Sequence, residues 1–255
     1  MKPERMERRR FLKGTLGAAS LVALSGCDNL TQSSWFSGIL GKAERLTETV
    51  QRAITPSDAL AKEYGATDIS KVFPANGNTD PGTEEYADHV AQGFSEWTLE
   101  VVGLVQTPRS WSLAAMKELP FRTQITRHDC VEGWSAIGKW TGVPIGDLLH
   151  QVEPLPSARY AVFHCADVDD EGVAYYESMA LADCYHPQTI LAYELNDAPL
   201  DIPHGAPLRL RFERQLGYKQ AKYVTRIEVV DSLAGIGGGK GGYWEDQGYE
   251  WYAGI

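Results

Sequence analysis

The chain has 255 residues, 43% of them hydrophobic and 10% aromatic, with a formal net charge of −10. That length and apolar fraction support a packed core in one large or two small domains and exclude a disordered chain. The acid excess argues against a nucleic-acid partner, which needs a basic face, yet leaves room for a local basic pocket.

Residues 1–13 carry six Lys/Arg and two Asp/Glu, and a modestly apolar run follows from Gly14 to Ser25. Together they have the n-region and h-region of an export signal. The run Arg8-Arg9-Arg10-Phe11-Leu12-Lys13 resembles the twin-arginine motif, whose route carries folded proteins and so goes with a cofactor inserted before export. Leu24-Ser25-Gly26-Cys27 resembles a lipobox, and cleavage there would leave a lipidated Cys27 as a membrane tether. No other stretch approaches the roughly 18 apolar residues of a spanning helix. The expected division is a signal over 1–26, a tether with N-terminal helices over 27–64, and one domain over 65–255.

Residues 28–40 are polar and Ser-rich. Leu46, Val50, Ile54 and Leu60 have helical spacing, which Pro56 divides into two short helices. Pro74, Asn76, Gly77, Asn78, Pro81 and Gly82 mark a looped stretch. Strands are expected at 97–105, 122–125, 160–163, 190–195, 208–212 and 224–230, with Asn196-Asp197 as a turn. Short helices are expected at 112–117, from Gly133 to Lys139, at 143–149 and at 179–184. Short strands with scattered short helices make an α+β domain. The glycines of 237–242 fit the letters of a dinucleotide fingerprint, but no helix follows to confirm one. The aromatic tail, Tyr243 to Tyr252, is expected to pack over the domain or edge the mouth of a site.

Mid-chain, Arg127-His128-Asp129-Cys130-Val131-Glu132-Gly133-Trp134-Ser135 sets a cysteine among charged residues. In an exported chain a thiol is usually oxidised or held by a metal, and Cys130 is read as a metal ligand. This segment, His186-Pro187, His204-Gly205-Ala206-Pro207-Leu208-Arg209 and Gly217 to Val224 together resemble the sulfite oxidase family of molybdopterin enzymes, over about residues 70–232. The resemblance is closest to the bacterial periplasmic branch that includes methionine-sulfoxide reductase catalytic subunits.

The resemblance implies a sulfite-oxidase-type molybdopterin domain and a molybdenum-molybdopterin cofactor, with Cys130 as the metal's protein ligand. A thiolate suits that soft metal. It implies that Asn76, His204, Arg209 and Lys222 hold the cofactor, with Lys219 and Cys165 as further candidates and Asn78 as a substitute for Asn76. Cationic side chains are what a terminal phosphate needs. Glu132 stands where an acid–base group would work beside the metal, and Arg127 is a candidate for attracting an anion. Tyr175 or Tyr176 would fill the place of the active-site tyrosine of sulfite oxidases. Asp129, just before the cysteine, disfavours an anionic substrate such as sulfite.

The implied activity is oxygen-atom transfer on a small substrate or a protein sulfoxide in the periplasm. Electrons would come from an external partner, a membrane haem protein or a cytochrome, because there is no Cys-x-x-Cys-His motif. Three alternatives stand beside it: a sulfite-oxidising enzyme of the same family, a non-catalytic lipoprotein, and a zinc module built from His164, Cys165, Cys184 and His186. Whether Cys165 and Cys184 pair as a disulfide is open at this level.

Overall fold

The computed structural model describes residues 46–255; the twin-arginine run and Cys27 lie outside them. Residues 46–54 are helical, as their spacing predicts, and belong to a different unit from the body, Thr55–Ile255. No helix among the described residues is long and apolar enough to cross a membrane. The second helix expected after Pro56 does not form. Ala61 N–H donates to Gln188 Oε1 at 2.7 Å, Gln188 Nε2 donates back to Ala61 O at 3.1 Å, and Glu63 bridges Thr126. These bonds to distant residues override a weak local preference.

In chain order the elements of the body are α1 (Glu84–Ala91), β1 (Thr98–Gly103), β2 (Arg109–Ser112), α2 (Leu113–Lys117), β3 (Arg122–Asp129), β4 (Ser135–Pro144), α3 (Ile145–Val152), β5 (Tyr160–Val168), β6 (Ala174–Ala180), α4 (Leu181–Cys184), β7 (Thr189–Leu195), β8 (Ala198–Pro199), β9 (Arg209–Phe212), β10 (Val224–Val230) and α5 (Tyr243–Asp246). Short 3-10 turns lie at Ala66–Asp68, Ile202–His204 and Gly217–Lys219. The class is α+β, as expected.

The strands form two sheets. One runs β2-β1-β10-β5-β6, antiparallel except for the β1–β10 pair; the other runs β3-β4-β7-β8, with β9 also on β7. Helix α3 buries Ile145, Leu148, Leu149 and Val152, the i, i+3, i+4, i+7 stripe of a core-facing helix. They join Leu99, Val101, Phe163, Leu191, Leu210 and Ile227 in the main core. A smaller core gathers Phe73, Trp140, Ile190, Ala192 and Leu200. Strand β9, within the stretch expected as a strand, is buried at all four residues; burial on both faces is what inner strands show.

The stretch Gly133 to Lys139 was expected as the start of a helix; it is the turn into β4 and the strand's first half. Cys130 N–H donates to Trp134 O at 2.9 Å and Gly133 N–H to Cys130 O at 3.0 Å. The chain therefore reverses and pairs Asp129 with Ser135, and then Arg127 with Ile137. Gly133, at φ 90°, supplies the left-handed residue that this reversal needs.

Candidate functional site

The β3–β4 reversal delivers the cysteine. Along β3 the side chains of Thr126 and His128 point inward while Arg127 is exposed. Cys130 follows at the turn, 9% exposed, and lines a cavity of about 590 Å³. That volume is in the range of a cofactor-sized site. Asn76, Glu132, Asp167, Tyr175 and Lys222 line it too, and Tyr243, Trp244 and Tyr249 of the tail form another part of the wall.

Two buried cations stand beside this cavity. Lys222 Nζ donates to Asn76 O at 2.8 Å, to Pro203 O at 3.0 Å and to Asn78 O. Arg209, fully buried on β9, donates to His204 O at 3.2 Å and to Asn76 Oδ1 at 3.0 Å, while its Nε has no partner. Among the described residues neither forms an ion pair with a carboxylate. Burial, then repulsion from Arg211, lowers Arg209 to about 9; burial, then Arg209, lowers Lys222 to about 7. The turn that brings them together depends on Gly205. Its φ is 104°, and a Cβ there would sit 2.9 Å from Lys222 Cβ and Cγ.

His204 holds this corner from below. Its Nδ1 lies 2.5 Å from Asp201 Oδ1 and its Nε2 lies 2.9 Å from Phe73 O, so both ring nitrogens are engaged and the imidazole anchors the loop that carries Asn76. Glu132 sits at the cavity edge, where Oε2 accepts from Trp134 Nε1 at 2.9 Å and Oε1 lies 3.4 Å from Gly77 N. Burial raises the Cys130 thiol above its ordinary range, an effect that Arg209 opposes. Tyr175 donates to Tyr218 O at 2.6 Å in the cavity wall, whereas Tyr176 points to Asp246 and is not in that wall.

Other candidates lie elsewhere. Arg127 pairs with Asp129 at 2.9 Å on the exposed face of β3, and neither lines the cavity. Lys219 is buried between Glu177 and Glu245, so its ammonium is spent on two carboxylates. Cys165 is buried in β5 opposite Val224 and outside the cavity lining. Cys130, Cys165 and Cys184 are all free thiols, so Cys165 and Cys184 do not pair. The zinc reading fails on geometry. His164 bonds Glu228 at 2.9 Å, His186 lies 3.0 Å from Ala59 O, and among the described residues no three His, Cys, Asp or Glu converge on a metal site.

Three groups had no signal in the sequence. His128 is buried behind Cys130, accepts from Arg211 at 3.0 Å on Nδ1, and leaves Nε2 without a partner against Gly217. Arg211 pairs with Glu213 at 2.7 Å and lies 4.1 Å from the centre of the Trp140 ring. Asp167 is 5% exposed in the cavity wall with Oδ1 unpartnered. Only tertiary packing buries them.

Cys130 and Lys222 line the cavity, and Arg209 and His204 do not, Arg209 lying behind Asn76 of the wall. Two buried cations without carboxylates, an orphaned guanidinium N–H and one thiol so placed fit a group with an anionic terminus and a thiophilic metal. The oxidoreductase molybdopterin binding domain matches residues 87–234. A putative protein-methionine-sulfoxide reductase subunit YedZ1 of Azospira oryzae is 38% identical over 97% of this chain and 87% of its own length. The protein-methionine-sulfoxide reductase catalytic subunits MsrP of Ralstonia nicotianae and Xanthomonas axonopodis are 33% and 36% identical, over 70% and 55% of this chain; the match spans 58% and 47% of their lengths. The sulfane dehydrogenase SoxCD from Paracoccus pantotrophus is similar at a TM-score of 0.49 and 20% identity, over 54% of this chain and 39% of that one. With the family domain covering more than half of its length, the chain is a member of the molybdopterin-binding oxidoreductases.

Proposed function

We propose that the chain is a molybdenum-molybdopterin enzyme of the periplasm that removes an oxygen atom from a sulfoxide or comparable oxide, with Cys130 as the metal's protein ligand. The observation that carries this reading is the Arg209–Lys222 pair: two buried positive charges, unpaired by any carboxylate, beside the cavity that Cys130 lines. Buried charge of one sign is costly until an anion arrives. The export reading rests on Arg8 to Lys13 and Cys27, and the relatives' names supply the sulfoxide.

When bound, the cofactor supplies two-electron redox chemistry and oxygen-atom transfer. The chain's residues do the rest. Cys130 offers a thiolate. Arg209 and Lys222 would hold the terminal phosphate, with Asn76 positioned by Arg209 and the turn fixed by His204. Glu132 places a carboxylate on the cavity edge, within reach of a group bound there, as general acid–base work requires. Tyr175 lines the cavity wall, with Tyr243 and Trp244 of the tail beside it. Cleaving one S–O bond consumes two electrons and two protons and releases water; a haem protein or cytochrome outside the chain delivers the electrons.

A sulfite-oxidising activity is the weaker reading, because the cavity wall carries several carboxylates. The test is molybdenum per chain, by mass spectrometry, in protein matured through its own export route. Near-stoichiometric metal is expected in the wild type. Cys130→Ala should alter the metal's absorption spectrum and lower sulfoxide reduction at least ~100-fold. Matured wild type without molybdenum or pterin overturns the proposal.

A further inference from the structure

The cavity carries more negative charge than the proposed chemistry uses. Asp80, Asp167, Asp169 and Asp170 line it beside Glu132, against one lining cation, Lys222, whose ammonium three carbonyls already hold. Asp129 adds nothing there, being paired with Arg127 outside the wall.

The acidic wall is built, not incidental. Asp167, a residue of the wall, is 5% exposed, and its Oδ1 is a buried acceptor that meets no donor from the chain. Asp169 is fixed from both sides: Oδ2 accepts from Tyr243 at 2.8 Å, and Oδ1 accepts the N–H groups of Glu171 and Val173 at 2.9 and 2.8 Å. Asp170 is exposed next to it. The same lining includes three large apolar side chains that remain open to water, Val131, Val173 and Tyr249, at 46%, 50% and 42% exposure. Apolar contact next to fixed carboxylates suits a chain segment in which an oxidised methionine, with its aliphatic stem on the apolar side chains, is flanked by a cation.

Resting on the oxygen-transfer reading above, we infer that the site prefers a sulfoxide carried by a positively charged polypeptide segment, with Asp169 and Asp170 selecting for the charge. An anionic substrate meets like charge at the wall, and a neutral one gains only the apolar contact. Charge selection of this kind acts on encounter and weakens with salt.

The test uses the molybdenum-loaded enzyme, a reduced dye as electron donor, and two peptides identical except for Lys or Glu on both sides of one methionine sulfoxide. The Lys peptide should have the higher kcat/KM by at least ~10-fold at low ionic strength, with the gap closing toward unity in high salt. Asp170→Lys, a change at an exposed position, should collapse the ratio. Equal kcat/KM for the two peptides, or a ratio untouched by Asp170→Lys, overturns the charge inference alone. Reduction of neither peptide by the loaded enzyme overturns the oxygen-transfer reading and this inference with it.

Discussion

Asp167 and Lys222 titrate out of place in the same wall, and each gives the fold a pH dependence. Burial lifts Asp167 from 3.8 to about 6. Between those values the folded chain keeps a proton that the unfolded chain has lost, so this group's contribution falls as pH rises through the window, and the penalty is complete above it. Asp167→Asn should therefore stabilise the cofactor-free chain at pH 8 by up to ~3 kcal/mol, and by almost nothing below pH 4, in urea unfolding. Lys222 has the opposite sign: unfolded it stays charged up to the ordinary lysine value of 10.5, folded only up to about 7, so its penalty is relieved as pH climbs from 7 toward 10.5. The place of Cys130 in the cavity wall was foreshadowed at this scale, because a thiol set among charges stands out in the sequence. Asp167 was not, because a run of aspartates reads as solvated loop until the fold shows which of them is buried.

At the scale of elements, the turn from the Ile202–His204 3-10 segment into β9 sets the cation pair, and Gly205 is its pivot. Gly205→Ala adds a Cβ in a left-handed conformation and against Lys222 at 2.9 Å. The expected cost is about 2–3 kcal/mol in denaturant unfolding, with molybdenum content falling in the same variant. The His-Gly-x-Pro letters made this turn readable, since each residue type there has a conformational reason. The first half of β4 was misread for the converse reason. Gly133 to Lys139 has no strong local preference, and its pairing with β3 is settled by the reversal at Cys130, a tertiary outcome.

Across the whole molecule, one buried lysine ties separate parts together. Lys219, in the Gly217–Lys219 turn, binds Glu177 of β6 and Glu245 of α5, all three at 1% exposure or less. Burial pushes Glu177 well above its usual range, and Lys219 is what draws it back. Lys219→Met should cost about 3–5 kcal/mol, because it strands two carboxylates, and should loosen the segment that carries Tyr243 and Trp244. Calorimetry gives the first effect and tryptophan fluorescence the second. The family was legible because motifs far apart in the chain meet in the fold: Cys130 and Lys222 line the cavity and Arg209 bonds Asn76 of its wall, and a spacing pattern survives where packing detail does not. The Lys219 triad stayed hidden because the resemblance offered Lys219 as a further cofactor ligand, while its two carboxylate partners, Glu177 and Glu245, lie far from it in the chain.

The carbonyls of Asn76, Asn78 and Pro203 share a single ammonium, that of Lys222. An anion in the cavity competes for that ammonium and leaves those carbonyls to water. The segment from Asn76 to Gly82, largely exposed, should then be cut at different rates in empty and filled chains under limited proteolysis. Occupancy of an interior site is thus written on the outside of the molecule, as a cleavage clock that needs no metal analysis to read.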